Sequence, residues 1–246
     1  MPQYFTFDSQ KLKTETQMLN LGNTVGLLFP AYCAGCNQVL SHGEDGLCLK
    51  CVASLPRLHQ YQYRANQLER KLWGRVEVEM AIAFLRMSRH SLVRKLIHEL
   101  KYRNNQGVGV ALGRIFGTEL SKVWRKIPFD FIVPVPLHPK RLFHRGYNQC
   151  DCLAEGLSES MRVPVSNHLL IRAKYNQTQT RRGRISRWHN VEGIFELDKD
   201  NDLQSKHVLL VDDVITTGAT IEACADVLHP IRGLRLSVAT LALAEN

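Results

Sequence analysis

The chain has 246 residues, 44% of them hydrophobic, and 32 Lys and Arg against 23 Asp and Glu give it a formal net charge of +9. That is enough for one large domain, or an ordinary domain with a small appendage, and for a sizeable core. No apolar run approaches the roughly 18 residues that span a bilayer, and the first residues, MPQYFTFDSQKLKTETQ, hold no continuous apolar segment of the secretory kind, which excludes membrane insertion and predicts a cytoplasmic protein. The basic balance predicts anionic partners: nucleic acid, a phosphorylated small molecule or an anionic membrane surface.

In chain order, Met18, Leu21, Val25 and Leu28 recur at helical spacing until Pro30 stops the pattern. Residues 31–55 hold two cysteine pairs, and 56–78 are polar and basic with no assignable period. VEMAIAFLRM reads as a strand. Val93, Leu96, Ile97 and Leu100 mark one helix, and Val108, Leu112, Ile115, Phe116, Leu120 and Val123 a second. The glycine-rich GVGVALG (Gly107–Gly113) lies inside that second helix and has one residue too many for a dinucleotide fingerprint; it reads as packing. FIVPVPL, HVLLV and LRLSVATLAL are strand-like, the first two almost wholly apolar, as strands buried on both faces of a parallel sheet are. Helical patterns follow them at Asn148–Met161 and Thr220–Leu228. Strands alternating with helices predict an α/β fold with a parallel sheet.

The pairs CAGC and CLKC place Cys33, Cys36, Cys48 and Cys51 as CxxC, eleven residues, CxxC. Each pair can present two thiolates from one tight turn, and two such turns close a tetrahedron around Zn²⁺. Gly35, Gly43 and Gly46 suit the turns. A redox pair needs only one CxxC, so two point to structural zinc. Cys150, Cys152 and Cys224 lie on helical patterns and read as ordinary cysteines.

The stretch HVLLVDDVITTGAT runs an apolar strand into two carboxylates, then a small hydroxyl-rich turn, then a helix. Adjacent side chains on a strand face opposite ways, which argues against a shared metal. The turn and helix start offer backbone N–H groups and threonine hydroxyls, a phosphate cradle, while the carboxylates can accept from sugar hydroxyls. Together these describe a ribose 5-phosphate site. The segment resembles the phosphoribosyl diphosphate (PRPP) loop of type I phosphoribosyltransferases. That resemblance implies that Asp212 and Asp213 hold the ribose hydroxyls, and that Thr216, Thr217, Gly218, Ala219 and Thr220 hold the 5′-phosphate.

With FPAYCAGC, LIHELKYR, VPVPLHPKRLFHRGYNQ and QTQTRRGRISRWHNVEGIF in the same order, the chain from about Leu27 is similar to the ComF/GntX family, bacterial proteins linked to competence and use of external DNA. The resemblance implies a type I phosphoribosyltransferase-like parallel sheet flanked by helices, with a small N-terminal zinc-ribbon-like element. The expected division is residues 1–56 for that element and 57–246 for the transferase-like domain. Within the latter, 57–125 would be a hairpin and helical part and 126–246 the PRPP-binding core. PLHPKRLFHRG becomes the pyrophosphate loop, with Lys140 and Arg141 as main contacts and Arg145 beside them. The arginine-rich stretch from Lys174 to Arg187 becomes either a lid, with Gln179, Arg187 and Asn190 as its family-matching residues, or a nucleic-acid surface on which Tyr175 and Trp188 stack. The implied function is Mg²⁺- and PRPP-dependent transfer to an unidentified acceptor, tied to DNA uptake or nucleotide salvage, with competence-machinery proteins as possible partners. The alternative is a non-catalytic nucleotide or single-stranded DNA binder.

Overall fold

The computed structural model describes residues 30–59, 65–124, 127–172, 194–198 and 202–245. The helix expected over Met18–Leu28, and the Lys174–Arg187 stretch with Gln179, Arg187 and Asn190, lie outside them. The elements are α1 (Leu49–Ala53), α2 (Gln67–Leu72), β1 (Met80–Met87), α3 (Leu92–Tyr102), α4 (Gln106–Val123), β2 (Phe131–Pro134), α5 (Pro139–Arg145), α6 (Gln149–Met161), β3 (Leu170–Arg172), β4 (Phe195–Leu197), β5 (His207–Ile215), α7 (Ala219–Leu228) and β6 (Arg235–Ala244).

Four strands form a parallel sheet in the order β1-β6-β5-β2. The sheet is covered on both faces, so its strands are apolar throughout and their side chains divide by parity. Leu209 and Val211 of β5 enter one core with Phe84 of β1, α3, α4 and α6. Val208 and Leu210 enter the other with α2 and α7. The α3 stripe Val93, Leu96, Ile97 and Leu100 is buried as its spacing predicts.

Glycines let α4 and α6 meet backbone to backbone. A Cβ on Gly113 would stand 2.3 Å from the Leu153 carbonyl oxygen, and one on Gly156 would stand 2.1 Å from that of Val110. GVGVALG is thus a packing surface. Beside it, Phe84 and Phe116 stack with ring centroids 4.8 Å apart.

In the segment 57–125 the strand β1 pairs in parallel with β6 of the central sheet, and on its other side Arg57 meets Leu85 in an isolated antiparallel bridge. The cysteine element packs directly onto the helices that follow it. Cys33, Leu47, Cys51 and Leu55 share the core of α3 and α4. Lys95 Nζ donates to the Gly35 carbonyl at 2.5 Å, and Arg114 pairs with Asp45 at 2.6 Å and with Glu159 on α6.

Candidate functional site

The site opens where β2 ends before β5 does. Pairing between them stops at Pro134 opposite Val211, so Asp212 and Asp213 emerge beyond the neighbouring strand. Ligands in open α/β sheets bind outside the carboxyl ends of the strands, and here a cleft of about 630 Å³ lies there, lined by Asp212, Asp213, Lys101, Arg141, Arg145 and Thr220 among others.

Both aspartates are buried, at 8% and 5% exposure. Burial, and then the charge of Asp213, push the Asp212 carboxyl up to about 7. Opposing this, Asp212 Oδ1 accepts from the Asp213 N–H at 2.9 Å and from the Cys150 thiol at 3.6 Å. Asp213 Oδ2 is paired with Lys101 Nζ at 2.6 Å. Lys101 sits in the last turn of α3, whose end is pinned by the buried Tyr147 hydroxyl donating to the Leu100 carbonyl. Cys150, on the first turn of α6, is held protonated by burial and by the two aspartates.

The opposite wall is cationic. Arg141, His144 and Arg145 come from α5 and Arg172 from β3. The PLHPKRLFHRG segment, expected as a loop, is a short helix: Pro139 occupies its first turn, His138 caps it by accepting from the Lys140 N–H at 3.2 Å, and Gly146 ends it in the left-handed region at φ 80°. None of its residues is buried. The helix directs Arg141 and Arg145 into the cleft, while Lys140 does not line it. Arg145 also bonds Gln149 and lies 5.7 Å over the Tyr102 ring. Burial, and then the charge of Arg141, lower Arg172, so the wall is rich in positive charge with no carboxylate of its own to balance it.

Past β5, Gly218 adopts φ 87° and starts α7 without a side-chain cap, leaving the helix N-terminus open. The Thr216 carbonyl accepts from Lys71 Nζ at 2.6 Å and the Thr217 carbonyl from Arg75 Nη1 at 2.6 Å. Of the expected phosphate-loop residues, Thr220 lines the cleft. The sequence reading missed Lys101, Cys150, Arg172, His144, Lys71 and Arg75. The first lay in a segment read as a helix and for its family likeness but given no site role, and the last two in the stretch without period.

The four cysteines come together. Their sulfurs all lie within 4.8 Å of one another, and Cys36 and Cys48 are 3.7 Å apart. Zn–S bonds of ~2.3 Å in a tetrahedron set sulfurs ~3.8 Å apart, so the donor set fits Zn²⁺ and can hold it. Gly35 is required there, since a Cβ would stand 2.7 Å from Cys51 Sγ. Burial alone would raise the Cys33 thiol, but N–H groups of Cys36, Cys48 and Gly35 bring it down to about 6. Burial, and then hydrogen bonds shared with the other three, push Cys51 up to about 12. Among the described residues no helix is long and apolar enough to cross a membrane.

Comparison with known proteins agrees with this architecture. The phosphoribosyl transferase domain family matches residues 152–246. Competence protein F of Haemophilus influenzae is 33% identical over 61% of this chain and 67% of its own length. The DNA utilization protein YhgH of Escherichia coli is 28% identical over 82% of this chain and 92% of its own. Competence protein ComFC of Bacillus subtilis is 31% identical over 64% and 61%. An α/β chain with a parallel sheet, a phosphoribosyltransferase domain and an N-terminal four-cysteine cluster, it belongs to the ComF family.

Proposed function

We propose that this protein binds PRPP with Mg²⁺ in the cleft and transfers its phosphoribosyl group to an acceptor, in the service of DNA uptake or utilisation. The observation that carries the reading is the buried Asp212–Asp213 pair facing a cationic wall across one cleft, acceptors for sugar hydroxyls on one side and donors for phosphate on the other. Asp212 and Asp213 hold the ribose 2′ and 3′ hydroxyls. The turn from Thr216 to Thr220 takes the 5′-phosphate. Arg141 and Arg145 take the pyrophosphate, with Lys140 and Gln179, Arg187 and Asn190 as further contacts once substrate is bound.

In the reaction the ribose C1–O bond to pyrophosphate breaks, its electron pair leaving with the pyrophosphate. The acceptor's lone pair closes on C1, and its proton passes to solvent or to the departing pyrophosphate. Arg141 and Arg145 stabilise the charge that develops on the leaving group. The carboxylates hold the sugar while C1 becomes electron-poor. Mg²⁺, when bound, would supply charge neutralisation on the phosphates. The displacement is taken to be direct, the acceptor attacking C1 itself.

The names of the relatives and the net charge of +9 support a second reading, in which the cleft binds nucleotide or single-stranded DNA without turnover. Calorimetric titration of PRPP with Mg²⁺ separates the two. The first reading expects saturable binding that Asp212→Asn/Asp213→Asn abolishes; absence of binding by folded wild-type protein refutes it.

A further inference from the structure

The segment between the cysteine element and β1 has no role in the reading above, yet its side chains converge on the phosphate turn. Asn66 caps α2 with a full capping box with Glu69, and its Nδ2 donates to the Ala81 carbonyl of β1 at 2.7 Å. The short helix is thereby fixed to the sheet, and Leu68 and Leu72 are fully buried beneath it. From this base Lys71 reaches the Thr216 carbonyl and Arg75 the Thr217 carbonyl, each at 2.6 Å.

In a trans peptide the carbonyl and the following N–H point opposite ways. Holding the carbonyls of Thr216 and Thr217 towards α2 therefore turns the N–H groups of Thr217 and Gly218 away from it. Gly218 adds the left-handed conformation at φ 87°, which beside a right-handed residue lets successive N–H groups converge on an anion. A second contact serves the same end. Glu222 stands in the first turn of α7, where its charge would repel a phosphate at the helix N-terminus; Arg75 pairs with it.

We propose that Lys71 and Arg75 are positioning residues for the 5′-phosphate: they touch no substrate but set the peptide orientations of the turn that does. The inference rests on the phosphate-turn reading of Thr216–Thr220. It also assigns the site a preference, since the clamp acts on the phosphomonoester end of the ligand and leaves the pyrophosphate wall of α5 alone.

The test is calorimetric titration of the full chain with two probes, ribose 5-phosphate and inorganic pyrophosphate with Mg²⁺. Lys71→Met/Arg75→Met should weaken ribose 5-phosphate by about tenfold or more while pyrophosphate shifts by less than about twofold. Lys71→Arg should keep both affinities. Set beside Lys71→Met alone, Arg70→Met removes the same single charge from the same helix and should alter neither affinity, which separates the clamp from a general loss of positive potential. Ribose 5-phosphate affinity unchanged in the double variant, or an equal loss for both probes, overturns the clamp while leaving the PRPP reading intact. Wild-type protein that binds pyrophosphate but not ribose 5-phosphate overturns the phosphate turn and the clamp together. Thermal unfolding monitors the double variant; should it fail to fold, Lys71→Met alone is judged by the same ratio of affinities.

Discussion

Replacing Asp212 by Asn should stabilise the protein, and by an amount that depends on pH. Asn keeps the shape and the Oδ1 acceptor used by the Asp213 N–H and the Cys150 thiol. What it removes is a carboxylate whose ionisation is opposed by burial and by Asp213, so that its pKa rises from 3.8 to about 7. The folded state thus holds a proton that the unfolded chain releases between about pH 4 and 7. Asp212 favours folding fully below about pH 4, and that contribution is lost as pH rises through about 7. Every tenfold difference in proton affinity between the folded and unfolded chain is worth about 1.4 kcal/mol, so the ionised side chain costs about 4 kcal/mol above pH 8 and about 2 kcal/mol at pH 5. Urea unfolding of Asp212→Asn against wild type at pH 5 and pH 8.5 should therefore show a stability gain that grows by about 2 kcal/mol across the interval. A gain of the same size at both pH values, or a loss at pH 8.5, would refute the reasoning. The outcome expected for ligand binding is opposite in sign, because the variant loses a ribose acceptor, and this pairing of stability gained with affinity lost is what a site strained for binding produces.

Lys101→Met should leave Asp213 without its 2.6 Å partner and lower PRPP affinity at pH 7 by about tenfold, with partial recovery as pH rises and Asp212 ionises; Lys101→Arg should retain most of it, and calorimetry at two pH values reads both. Gly113→Ala forces a Cβ to within 2.3 Å of the Leu153 oxygen and should cost about 3 kcal/mol or more in urea unfolding as α4 and α6 separate. Elemental analysis of freshly reduced protein should return one zinc per chain. Cys51→Ser should reduce that content and lower the melting temperature, because Cys51 belongs to the core shared with α3 and α4.

Much of the fold was legible because its chemistry is local. The β5 segment HVLLV could only be a strand buried on both sides, and the α3 stripe Val93, Leu96, Ile97, Leu100 is buried at its expected positions. The cysteine cluster was legible for the same reason: its spacing carries the geometry. Asp212 and Asp213 could be placed at a strand end, but their partners could not. Lys101 is over a hundred residues away, and Arg172 and Cys150 meet the pair only in the folded sheet. Cys150 in particular read as an ordinary helical cysteine. The α5 helix carried its signals openly, Pro139 at the start and Gly146 at the end, but with no apolar face to bury it offered no period to detect. In 56–78 the capping box Asn66–Glu69 was present, yet a six-residue helix is too short for periodicity to stand out.

The place of β6 sets a constraint on how the protein is made. It is the last described strand of the chain, yet it lies inside the sheet, with β1 on one side and β5 on the other, and it pairs Met80 with Ser237. During synthesis β1 emerges more than a hundred and fifty residues before its hydrogen-bonding neighbour exists. Until then its apolar run has only the isolated antiparallel bridge from Arg57 to Leu85, a state in which nascent chains invite chaperones and aggregation. The sheet closes only when Arg235–Ala244 has left the ribosome, so a nascent chain halted before Arg235 would hold every residue of the acidic pair and its phosphate turn and still lack the strand against which they are built.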